Sequence, residues 1–138
     1  MNDPLMKKIL CIDDDENVLS ALKRIFHRCP YNIITARDGE DGIFKVVSEN
    51  PDLIFLDVKM PKVDGFEFLA FLKDKELNHI PVVMLSGEKS IEDIFKGYEE
   101  GSVYYLTKPT KSEYVLNIVE YLLEDISDER RLEIESKM

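Results

Sequence analysis

Apolar residues along the chain switch between two spacings. Lys8 to Ile12 is short, branched and almost wholly apolar, and acidic residues stop it at once, as in a strand buried on both faces. From Glu16, the residues Val18, Leu19, Leu22, Ile25 and Phe26 recur every three or four positions, which predicts an amphipathic helix ending near Cys29-Pro30. Tyr31 to Ala36 reads as a second strand, and Asp38-Gly39 as a turn. Ile43, Val46 and Val47 then line a second helix that stops before Asn50-Pro51. Leu53 to Leu56 is a third strand running into Asp57, Pro61 to Gly65 a loop, and Phe66, Leu69 and Leu72 stripe a third helix to about Lys75. A fourth strand, Pro81 to Leu85, leads to Ser86-Gly87. Ile91, Ile94, Phe95 and Tyr98 mark a fourth helix with Gly101 as its stop. Val103 to Leu106 predicts the fifth strand, and Tyr114 to Ile126 the last helix, with Val115, Ile118, Val119 and Leu122 inward.

Strand and helix thus alternate five times with short connections, which implies an α/β fold: a parallel sheet, helices on both faces and right-handed crossovers. Continuous apolar strands agree, because strands in such sheets are covered on both sides. Beyond Glu124 the chain turns polar and mixed in charge, with Ile126, Leu132 and Ile134 its only large branched apolar residues. This tail either extends the last helix or frays. Val115, Val119, Leu122 and Ile126 step as a coiled-coil seam does, but Glu129 and Glu133 follow, so the pattern fails after two heptads.

Composition narrows the function. The chain has 138 residues, enough for one domain with a proper core, and carries 28 acidic against 18 basic residues for a net charge of −10. A surface that negative repels phosphate backbones, which argues against direct binding of nucleic acid and favours a cation or a basic partner. Charges interrupt every apolar run, so neither a membrane span nor a signal peptide is expected, and Cys11 and Cys29 read as two reduced thiols of a cytoplasmic protein.

In open parallel sheets the ligand site lies beyond the carboxyl ends of the strands. Those ends carry Asp13-Asp14-Asp15, Asp57, Ser86-Gly87 and Lys108. Each has a bland reading: an acidic run caps a helix, an aspartate makes a turn, a serine hydroxyl caps a helix, a lysine is a surface charge. Together they resist it. Carboxylates gathered at one edge repel one another and call for a cation. An oxygen-only donor set suits Mg²⁺, with Asp57 as carboxylate nucleophile toward phosphorus and Lys108 and Ser86 as partners of the phosphoryl oxygens.

The strings that carry these residues are Ile9-Leu-Cys-Ile-Asp13-Asp14, Leu56-Asp57-Val-Lys-Met60-Pro61 with Asp64-Gly65, Met84-Leu-Ser86-Gly87, and Gly101 to Tyr105 leading to Lys108-Pro109. In this order they resemble the receiver domain of two-component response regulators, over about residues 7–125, with 126–138 as a tail. The resemblance implies a flavodoxin-like, doubly wound five-stranded parallel sheet in the order 2-1-3-4-5 with five helices, in three α/β/α layers. It implies Asp57 as phosphoacceptor; Asp13, Asp14, Asp57 and the Lys59 carbonyl as Mg²⁺ ligands; Ser86, Lys108 and Tyr105 in the family's conserved roles; and a cis Lys108–Pro109 bond. The phosphoryl donor would be a sensor histidine kinase or a phosphotransfer protein. The expected output is a switch of the face built from the fourth helix, fifth strand and fifth helix, which also offers a homodimer surface. Catalysis would be confined to Mg²⁺-dependent self-phosphorylation and autodephosphorylation. Lys59 and Glu88, each two residues past a site residue, would either pair over the site or stand as independent solvated charges. Two rivals are a haloacid dehalogenase-type phosphatase, which wants an acid where Lys59 stands, and a degenerate receiver, which intact Asp13, Asp14, Asp57, Ser86 and Lys108 oppose.

Overall fold

The computed structural model describes residues 5–87 and 104–137. Its strands are β1 (Lys7–Ile12), β2 (Tyr31–Ala36), β3 (Leu53–Asp57), β4 (Val82–Ser86) and β5 (Tyr104–Thr107). They form one parallel sheet in the order β2-β1-β3-β4-β5. The described residues also form α1 (Glu16–Ile25), α2 (Gly39–Glu49), α3 (Gly65–Asp74), α4 (Ser112–Leu123) and α5 (Asp128–Glu135). The predicted fourth helix around Ile91 to Tyr98, its stop at Gly101, and Val103 lie outside the described residues.

The period of two along each strand divides the interior into two cores. Leu10, Ile12, Ile54, Leu56, Val82 and Met84 face one way and pack with Val46, Phe66, Phe68, Leu69 and Leu72 of α2 and α3. Ile9, Cys11, Leu53, Phe55, Val83 and Leu85 face the other, against Leu19, Leu22 and Phe26 and against Val115, Ile118 and Val119 of α4. Burial on both faces explains why these strands read as unbroken apolar runs.

Side chains start four of the five described helices; Lys111, ahead of α4, makes no side-chain cap. Asp15 accepts from Asn17 N at 2.8 Å and caps α1, and Asp38 accepts from Asp41 N at 2.8 Å and caps α2. Asp64 and Glu67 form a reciprocal capping box on α3. The tail neither extends the last helix nor frays. Glu124 is extended, Ser127 caps a new helix by accepting from Arg130 N at 3.1 Å, and α5 folds back along α4. The coiled-coil seam is not available either, because Val115 and Val119 are fully buried against the sheet.

Candidate functional site

The sheet brings the separated strand ends to one edge. Carboxylate oxygens of Asp13, Asp14 and Asp57 lie within 4.8 Å of one another. Asp13 and Asp57 are buried, whereas Asp14 is exposed. Lys108 leaves the end of β5 and puts its Nζ 2.8 Å from Asp13 Oδ2 and 3.1 Å from Asp57 Oδ1. Backbone anchoring supports that reach: Lys108 N donates to Ser86 O at 2.8 Å. Lys108–Pro109 is cis, as expected.

The acidic run divides its labour. Asp15 is the helix cap, the bland role weighed for the whole run. Asp13 turns inward and accepts from Asp15 N at 2.9 Å through Oδ1. Its Oδ2 is sealed from solvent and, apart from the ion pair with Lys108, makes no hydrogen bond of good geometry. Three carboxylates gathered around one ammonium, in an all-oxygen cluster, fit a small hard cation. Asp13, Asp14 and Asp57 can therefore supply ligands to a metal of that kind.

Charge in the cluster moves two pKa values. Burial first, then the negative charge of Asp13, pushes the Asp57 carboxyl up to about 6, against the pull of Lys108; a hydrogen bond with Asp14 adds to the rise. Burial would lower the Lys108 ammonium, but its contacts with Asp13 and then Asp57 outweigh that and hold it above the usual lysine range.

Ser86 is buried at the end of β4, opposite Thr107 of β5. Tyr105 packs on the α2/α3 side and Tyr104 on the α4 side, so the two adjacent tyrosines point to opposite layers. By alternation from Met84, Ser86 shares the Tyr105 side. Lys59 is exposed, with its N–H 3.4 Å from Asp57 Oδ1, and its side chain makes no ion pair among the described residues. Glu88, its suggested partner, lies outside them.

One structural residue escaped the sequence reading. A Cβ on Gly65 would stand 2.7 Å from Asp57 O and 3.0 Å from both Val58 Cα and Met84 Cε. Only glycine lets α3 start so close behind the phosphoacceptor candidate, while its N–H bonds Val58 O at 2.9 Å. Asp64-Gly65 was visible as a string; the contact that demands it was not.

The sequence profile of the response regulator receiver domain matches residues 9–120. The chain belongs to that family. This receiver domain is 42% identical over 103 residues to the alkaline phosphatase synthesis transcriptional regulatory protein PhoP of Bacillus subtilis, covering 75% of this chain and 42% of PhoP. It thus spans less than half of that relative. Against protein PilG of Pseudomonas aeruginosa it is 34% identical over 113 residues, 81% of this chain and 84% of PilG. Among solved structures it superposes on the chemotaxis protein CheY4 of Vibrio cholerae with a TM-score of 0.80 and 29% identity, over 86% of this chain and 99% of that one. A beryllofluoride-activated DrrB receiver domain matches with a TM-score of 0.78 and 30% identity, over 88% and 100%. Membership in a signalling family displaces the phosphatase alternative. No helix among the described residues is long and apolar enough to cross a membrane.

Proposed function

We propose that this receiver domain accepts a phosphoryl group on Asp57 from a histidine kinase or a phosphotransfer protein. The observation that carries the proposal is the placement of three carboxylates and one ammonium, drawn from β1, β3 and β5, within contact of one another at the carboxyl edge. An Asp57 oxygen forms the new P–O bond while the P–N bond of the donor phosphohistidine breaks and the imidazole leaves. Asp57 is the apt nucleophile: it is ionised above about pH 6, and being buried, it is poorly hydrated.

Asp13, Asp14, Asp57 and the carbonyl of Lys59 would hold Mg²⁺, which when bound neutralises charge on the phosphoryl oxygens. Lys108 swings from two carboxylates to the incoming phosphoryl oxygens with little movement of its backbone, which the bond to Ser86 O fixes. The Ser86 hydroxyl takes a second phosphoryl oxygen, and Tyr105, on the same sheet side, follows that change of packing. The unit that acts spans residues 7–125. Its output is a partner protein or an appended domain, with a homodimer through the β5 face as a further form.

Acetyl phosphate with Mg²⁺ tests the proposal. Mass spectrometry should show one added phosphoryl group on Asp57, lost in Asp57→Ala and strongly reduced in Lys108→Ala. A phosphoryl group on another residue, or none at all in a folded chain, would remove the assignment.

A further inference from the structure

The C-terminal helix α5 is an appendage with its own recognition chemistry. Eight residues are too few to hold a helix alone in water, so contact with α4 keeps it helical. Arg130 makes a two-pronged contact with Glu120, Nε to Oε1 at 3.0 Å and Nη2 to Oε2 at 2.9 Å. Nη2 also reaches Asn117 Oδ1 at 3.2 Å. Arg131 stacks 4.8 Å over the Tyr121 ring, whose hydroxyl donates to Glu135 Oε1 at 2.7 Å. Ile134, one turn after Arg130, is 1% exposed yet belongs to neither core of the domain.

Helix α4 therefore has two working flanks. Val115, Ile118 and Val119 serve the sheet, while Asn117, Glu120 and Tyr121 lie three and four residues apart on another stripe and serve α5. The second flank is an acidic and amide cradle for a guanidinium beside an aromatic face, on a chain whose net charge of −10 favours cationic partners. We propose that this flank is a docking surface for a helix of a partner protein bearing an arginine and, one turn later, a branched aliphatic residue. In the free chain, α5 occupies the surface as an intramolecular stand-in that the partner helix displaces. The partner site is thus written, in mirror terms, in residues 130–134 of the chain itself.

The test uses the full chain and a fluorescein-labelled peptide of residues 125–137. In Arg130→Ala, amide exchange across α5 should speed up while exchange in β1 and β3 stays slow. The peptide should then bind that variant about tenfold tighter than it binds wild type, because the surface is no longer filled from within. Adding Glu120→Ala should abolish the gain. Ile134→Ser serves as a second release variant that leaves the charges in place. Unchanged α5 exchange in both variants would overturn the proposal, as would faster exchange without tighter peptide binding. A wild-type dimer made by exchange of α5, and dissolved by the peptide, would assign the surface to a second copy and overturn the partner reading.

Discussion

Asp57 keeps its proton longer when folded than when unfolded. Its carboxyl titrates near 6 in the fold against an ordinary value of 3.8, so between those values the folded chain binds more protons and stability falls as pH rises. Above pH 6 the buried negative charge costs the fold on the order of 2 kcal/mol. Asp57→Asn is expected to raise the urea midpoint at pH 7.5 without metal, with the gap closing toward pH 4; a lower midpoint for the variant would contradict the charge argument. Lys108→Ala carries the opposite sign. It removes the cation that both Asp13 and Asp57 touch, and should lower the midpoint at neutral pH. The sequence made these residues visible as a set because the α/β alternation dictates which strand ends converge. It did not separate Asp15, the cap, from Asp13, which turns inward, since both readings satisfy the same letters and only the backbone direction after Ile12 decides.

At the scale of elements, strand placement followed apolar period to within a residue, whereas α1 and α4 end three or more residues before the expected Cys29 and Ile126. β4 runs on to Ser86, and β5 to Thr107, because those two pair across the ladder. The tail misled for a reason of the same kind: α5 has one buried apolar residue, Ile134, so no stripe announces it, and its order comes from Arg130 and Glu120 across the sequence. The start of α3 makes a sharper claim. Gly65→Ala places a methyl group against Asp57 O and Val58 Cα, backbone atoms that cannot rotate away, and should destabilise the chain by about 1–3 kcal/mol. Urea unfolding measures it, and slower labelling by acetyl phosphate should accompany it if α3 retreats from the site.

For the whole molecule, position in the sheet sets how hard each part is to open. β1 lies inside the sheet between β2 and β3, and its Cys11 is wholly buried, with burial pushing the thiol up to about 12. Cys29 is half-buried just past α1. A thiol reagent should therefore modify Cys29 readily in the native chain and reach Cys11 only through global unfolding. Equal labelling rates would mean that β1 opens locally. The two thiols thus report separately on the rim and on the centre.

The order of the strands gives the Lys108 contact a further meaning. β5 is an edge strand, and two others separate it from β1, yet a single ammonium on its end holds an acid that follows β1. That side chain works as a guy-line stretched across the tops of β4 and β3. A change of charge at either acid therefore slackens or tightens a line that ends on the edge strand.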